Sequence, residues 1–193
     1  MRLPQLDDGH TVGTRVLLAV LRLLGGGHLP DILSLVKYRA EFFGDPYCAL
    51  IQELLRGDSD WSVGERELFA AWVAQVERCR FCLRSHGAVA ALTLGEGTVE
   101  AVLAREWDTL PERIVATLTF LEKLTRSPES MVPADAARVY ATGVTPAALE
   151  DAADIAAAFA IITRLADAFG FEQQTNEQVR ASARSLLKRG YRL

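Results

Sequence analysis

Four residues in one short stretch are spaced so that they can exchange protons and electrons: Glu67, Cys79, Cys82 and His86. Cys79 and Cys82 are three apart, so on a helix they share a face. At the start of a helix such a pair can close a disulfide, and the free backbone N–H groups there favour a thiolate. His86 comes four residues after Cys82, one turn on and on the same face. A neutral imidazole there can take the proton of the Cys82 thiol, and the thiolate, not the thiol, is the competent nucleophile. From Cys79, His86 is seven residues away, roughly 10 Å along a helix axis and too far for a direct hydrogen bond. Cys82 is therefore the expected low-pKa thiol. An acid that orients the imidazole completes the relay. Glu67, twelve residues before Cys79, falls on the preceding helix and can reach back across a hairpin. Glu65 competes for that place, but Ser62 followed by Glu65 already reads as a capping box.

Other readings of the same residues stand beside this one. The cysteines are also small, apolar side chains suited to a core. Glu67 also fits a solvated helix face. Two cysteines and a histidine also match part of a zinc site, although zinc usually takes a fourth ligand, and neither His10 nor His28 is obviously placed to supply it. Cys48, after Pro46 and Tyr47, reads as core, with a resolving or regulatory thiol as the sharper alternative. Phe69 and Trp72 read as hairpin packing, and Phe81 as lying at the mouth of the site or beneath it. Arg84 and Arg164 read as surface or ion-paired residues, and Asp151 and Asp154 as paired or end-exposed ones.

The elements that must position these residues are helical. Capping signals start helices at Ser62, near Thr109 and Glu112, at Ser127-Pro128 and at Thr145-Pro146. Leu68, Phe69, Trp72, Val73 and Val76 recur at helical spacing, and the redox pair sits on a hairpin of helices over about 65–77 and 80–93. Further helical stretches run over 31–38 and 46–55, and a last one over 176–188. The segment 149–169 is alanine-rich and apolar on most sides, which predicts a central helix packed on several faces. Gly25-Gly26-Gly27 and Pro30 punctuate the chain after an amphipathic first helix. No alternating strand pattern, fixed repeat or low-complexity linker is present. The expected fold is all-α: one helical bundle over 1–193, with 1–25 and 174–193 as peripheral helical extensions.

Composition narrows the function classes. Half of the 193 residues are apolar, enough for a core without staples. A net charge of −4 offers no general attraction to nucleic acid or acidic membranes, and the basic tail (Arg180, Arg184, Lys188, Arg189, Arg192) fits a solvated helix face. Three cysteines are too few for a disulfide scaffold and point to a reducing, cytoplasmic setting. No segment reaches the roughly 18 apolar residues of a membrane helix. The run 16–24 lacks a signal peptide's flanks, being preceded by Asp7 and Asp8 and interrupted by Arg22. No cofactor is expected.

The pattern Glu67, eleven residues, then Cys79-x-x-Cys82-x-x-x-His86 resembles the signature of the carboxymuconolactone decarboxylase superfamily, in its alkylhydroperoxidase D-like branch. The flanking run RGDSDWSVGERELFAAWVAQVERCRFCLRSHGAVA is similar to its peroxidase-related members, as is DILSLVKYRAEFFG. The likeness extends, more weakly, to about Phe171. It implies an all-helical fold assembled as trimers or hexamers. It implies that Cys82 becomes a sulfenic acid, that Cys79 resolves it and donates a proton, that His86 is the base and that Glu67 sets the histidine proton. The substrate would be a small hydroperoxide and the reductant a dithiol, such as a lipoyl or thioredoxin-like protein. One position departs: Phe81 stands where the best-known alkylhydroperoxidases carry a histidine, which bears on lipoyl-linked peroxide reduction more than on thiol chemistry generally. True decarboxylases of the superfamily act on a lactone without the cysteine pair. Decarboxylation of a small acid and a non-enzymatic redox-sensing or zinc-binding role remain the alternatives.

Overall fold

The computed structural model describes residues 6, 8–24 and 27–192. Gly25 and Gly26 of the expected glycine break lie outside them, whereas Gly27 occupies a turn at φ +90°. From Val12 onward the described chain runs through α1 (Val12–Leu24), α2 (Asp31–Tyr38), a π-helical turn (Ala40–Gly44), α3 (Asp45–Arg56), α4 (Val63–Val76) and α5 (Arg80–Leu94). It continues through α6 (Glu96–Ala104), α7 (Glu112–Arg126), a 3-10 turn (Pro128–Ser130), α8 (Pro133–Tyr140), α9 (Pro146–Phe169) and α10 (Asn176–Arg189). No strand occurs among the described residues, and none of their helices is long and apolar enough to cross a membrane.

The hairpin α4–α5 is the centre of the fold. Helix α4 starts at a complete capping box, Ser62 accepting from the Glu65 amide while Glu65 accepts from the Ser62 amide. It is apolar on nearly every face, and ten of its residues are buried, as a helix surrounded by others must be. It stops in a Schellman arrangement: the Arg78 amide donates to the Gln75 carbonyl and the Cys79 amide to the Ala74 carbonyl. The left-handed position of that motif, usually a glycine, is Arg78 at φ +64°. Cys79 then serves as the N-cap residue of α5. The two helices therefore double back within three residues, and their antiparallel register follows. A Cβ on Gly64 would come 2.2 Å from Thr93 Oγ1, so the start of α4 touches the end of α5.

Around this hairpin the core closes with α7 and α9. The indole N–H of Trp72 donates to the Leu118 carbonyl at 2.9 Å, and that of Trp61 to the Ala148 carbonyl at 2.7 Å. Each ring thus buries its apolar body with its polar tip satisfied. Phe69 and Trp72 pack the hairpin as expected. Helix α9 starts at Thr145, whose hydroxyl accepts from the Ala148 amide, and buries Ala148, Ala152, Ala156 and Ala158 inside its own chain. Small side chains let neighbouring helices approach closely.

Several sequence expectations shift. α7 begins after Pro111, with no side-chain cap, so Thr109 does not cap it. Ser127-Pro128 opens only a three-residue 3-10 turn, and the α-helix starts at Pro133. Two short helices, α6 and α8, lacked a periodic signal strong enough to read. Cys48 is half-buried, not core. Helix α1 is amphipathic, but its apolar stripe of Val12, Val16, Val20 and Leu23 faces outward, with Val12 80% and Leu23 78% exposed.

Candidate active site

The register of the hairpin brings Glu67 of α4 against His86 of α5. His86 Nδ1 lies 2.7 Å from Glu67 Oε2. An ionised carboxylate can only accept, so Nδ1 carries the proton and Nε2 is left as the basic nitrogen. The imidazole is seated edge-on against Phe159 at 4.6 Å between centroids, which fixes its orientation from the side of α9.

Glu67 is not a solvated helix residue: it is 0% exposed. Two donors that the motif did not disclose converge on its other oxygen. Arg56, at the end of α3, donates from Nη2 to Oε1 at 2.7 Å, and the Tyr191 hydroxyl donates to the same oxygen, also at 2.7 Å. Burial by itself would push the Glu67 carboxyl up, but His86, Arg56 and Tyr191 together outweigh it and hold the group below its ordinary value of 4.5. An ionised side chain is tolerated here because both carboxylate oxygens accept hydrogen bonds, two on Oε1 and one on Oε2. A buried glutamate demands a counter-charge, so one nearby arginine was foreseeable in kind. Tyr191, 105 residues from His86 in sequence, carried no such signal.

Both sulfurs lie at the start of α5 as expected, with Cys79 at the N-cap and Cys82 in the first turn. Both are buried, Cys82 being 2% exposed. The proton balance of the reduced pair runs opposite to the expected ordering. The Cys82 thiol and backbone N–H stabilise charge on Cys79 and bring that thiol down, although burial opposes them. Cys82 is pushed well above its usual value by its interaction with Cys79, by its burial and by the nearby carboxylates of Asp167 and Glu77. At rest, then, the charge of the pair favours Cys79, and Cys82 needs a base to become a thiolate. Among the described residues no hydrogen bond joins the His86 ring to either sulfur. Tyr47, whose hydroxyl donates to the Ala158 carbonyl at 3.1 Å, lies close enough to Cys82 for a charge there to oppose its own ionisation.

The remaining candidates stand outside the relay. Phe81 is buried edge-on against Phe171, ring centroids 5.1 Å apart, and so packs into the core. Glu65 completes its capping box and also pairs with Arg113. Arg84 donates to the Gln174 carbonyl and to the Asn176 side chain, Arg164 pairs with Glu77, and Asp151 accepts from Ser59. Asp154 and the basic residues of α10 and the tail are exposed. His28 contacts Gln174 and His10 contacts the Ser34 carbonyl. Among the described residues, no three His, Cys, Asp or Glu side chains group to hold a metal ion, so the zinc-binding alternative finds no ligand set there.

Solved structures with this arrangement of helices exist. An uncharacterized peroxidase-related protein from Silicibacter sp. TM1040 superposes with a TM-score of 0.75 at 23% identity, over 90% of this chain and 91% of that one. The alkylhydroperoxidase AhpD core of an uncharacterized peroxidase-related protein from Ralstonia eutropha JMP134 gives 0.74 at 22% identity, over 93% and 95%. The chain has the alkylhydroperoxidase D-like fold. No protein-family model and no curated protein matches it. The alkylhydroperoxidase D-like fold thus rests on shape, and at these identities the chemistry rests on the site itself.

Proposed function

We propose that this protein is a thiol peroxidase, reducing a small hydroperoxide through Cys79 and Cys82 with Glu67 and His86 as its proton relay. The observation that carries the reading is the buried Glu67 carboxylate 2.7 Å from His86 Nδ1, one helical turn from a cysteine pair. A fully buried, ionised glutamate is expensive to keep unless it serves something. Here it leaves Nε2 as the proton acceptor on the cysteine-bearing helix.

The chemistry balances as follows. His86 takes the Cys82 proton. The Cys82 thiolate attacks the terminal peroxide oxygen, the O–O bond breaks, and the alkoxide receives its proton from the Cys79 thiol. Cys82 is now a sulfenic acid. The Cys79 thiolate then attacks the Cys82 sulfur, the S–O bond breaks, and the leaving hydroxide takes the proton from His86 and departs as water, forming the Cys79–Cys82 disulfide. A dithiol reductant returns both thiols and leaves as its own disulfide. The raised proton affinity of Cys82 at rest gives the base its purpose: a thiol that ionised freely would not need one. The burial of both sulfurs favours small peroxides.

The test is a panel of organic hydroperoxides with dithiol reductants, run on wild type and on Cys82→Ser. Turnover that vanishes in Cys82→Ser supports the proposal. A lyase reaction on a small carboxylic acid, surviving loss of both cysteines, would replace it.

A further inference from the structure

The relay has a lid that belongs to neither helix of the hairpin. After α10 the chain turns at Gly190, φ +72°, and returns to α3. The Tyr191 amide donates to Gln52 Oε1 at 2.7 Å, and a Cβ on Gly190 would meet that same oxygen at 2.2 Å, so the turn depends on glycine there. The Tyr191 ring lies near-parallel to the His86 imidazole, centroids 5.9 Å apart, and the Arg56 guanidinium sits 5.0 Å from its centre. Its hydroxyl reaches Glu67 Oε1 at 2.7 Å and lies 3.3 Å from His86 Nδ1. Arg56 also donates to the Leu186 carbonyl of α10. Two residues of α3, one turn apart, thus pin the tail over the buried carboxylate.

We propose that Tyr191 is a positioning residue of the relay: its hydroxyl bond to Glu67 sets how strongly that carboxylate holds the His86 proton, and so how readily His86 accepts another. The physics is competition. A carboxylate whose only partner is an imidazole concentrates its charge on that imidazole and favours imidazolium, which can no longer act as a base. Donors on the opposite oxygen draw part of that charge away. Arg56 does so with a fixed cation and Tyr191 with a neutral, partly buried phenol. That phenol stays protonated, because burial and the adjacent Glu67 charge push its own ionisation well above the usual range. The groups facing His86 are Glu67 from α4, Tyr191 from the tail and the apolar Phe159 from α9, with Cys82 one turn back on its own helix.

This rests on the thiol-relay reading, but its test does not need turnover. Each of the chain's three histidines gives an imidazole proton resonance, and His86 is assigned by its loss in His86→Gln. The measurement is the pH midpoint of that resonance in wild type and in Tyr191→Phe, which keeps the ring and its stacking and removes only the hydroxyl. A hydrogen bond to a charged group is worth enough to predict an upward shift of about 0.5–1 unit. The acid limb of Cys82 alkylation should move with it. A ring that served only as packing would leave both unchanged, and an unshifted midpoint in folded Tyr191→Phe overturns the proposal. Should Tyr191→Phe fail to fold, Gln52→Ala carries the test. It touches neither Glu67 nor His86, loosens the Tyr191 amide, and should shift the midpoint in the same direction by less; no shift there overturns the proposal equally. Loss of peroxide turnover with the midpoint behaviour intact would strike at the peroxidase reading alone.

Discussion

Replacing Glu67 by glutamine changes no shape and reverses a hydrogen-bond pattern. The carboxylate accepts on both oxygens: from His86 on one, from Arg56 and Tyr191 on the other. An amide accepts on one side only. If its oxygen faces Arg56 and Tyr191, its NH2 faces His86 Nδ1, and the imidazole must move its proton to Nε2, where it can no longer take one from Cys82. If the amide flips, its NH2 meets the Arg56 guanidinium donor to donor. Either way Arg56 loses its counter-charge while its side chain is only 10% exposed. Removing one partner of a buried pair costs about 3–5 kcal/mol. The lower end applies here, because Arg56 keeps its bonds to the Leu55 and Leu186 carbonyls. Urea denaturation should therefore show about 3 kcal/mol lost at neutral pH, and peroxide turnover should fall about 10²-fold or more, as for a lost general base. The pH dependence has a definite sign. A depressed native carboxyl contributes fully above its ordinary value of 4.5 and loses that contribution as pH falls toward its native value. The gap between wild type and variant should thus narrow below about pH 4.5. A Glu67→Gln protein within about 0.5 kcal/mol of wild-type stability, a change ordinary for a surface site, and within threefold of its activity would refute the reasoning.

Mild oxidation should join Cys79 to Cys82 within one chain, seen by mass spectrometry of a non-reducing digest; a Cys48 partner would show the resolving thiol to be misassigned. Arg78 holds a left-handed conformation that glycine adopts without strain, so Arg78→Gly should leave stability unchanged or raise it by up to about 1 kcal/mol in denaturant titration. A loss of more than that would mean the Arg78 side chain, not its backbone, secures the turn. The outward apolar stripe of α1 should be covered by self-association, and light scattering at micromolar concentration should give a multiple of 21.1 kDa. A monomer that stays monodisperse would leave that stripe without its expected partner.

The parts of this molecule that were legible in its sequence are those governed by local physics. The capping box at Ser62, the Thr145 cap and the helical spacing behind each are short-range interactions and survived folding intact. The juxtaposition of Glu67 and His86 was legible because a hairpin with a three-residue turn leaves little freedom in register. What escaped was long-range. Tyr191 reaches the site only because α10 ends beside α3, a packing outcome that no spacing encodes. The balance within the cysteine pair also escaped: spacing places His86 near Cys82, but the neighbouring Cys79, burial and the carboxylates of Asp167, from a helix far along the chain, and Glu77 weigh against ionising that sulfur at rest. Thr109 misled because Pro111, with its fixed φ and no N–H to satisfy, starts α7 without a side-chain cap.

The central claim is that Cys82 is the sulfur that meets peroxide, deprotonated at the moment of reaction, and that Cys79 only resolves it. Trapping with a sulfenic-acid reagent after one equivalent of hydroperoxide tests this directly in the two single-serine proteins. The account predicts rapid labelling of Cys82 in Cys79→Ser, stalled after one event, and little labelling of Cys79 in Cys82→Ser. Labelling of Cys79 in Cys82→Ser as fast as that of Cys82 in Cys79→Ser would contradict it, and would mean that Cys79, the thiol brought down in the reduced pair, does the chemistry.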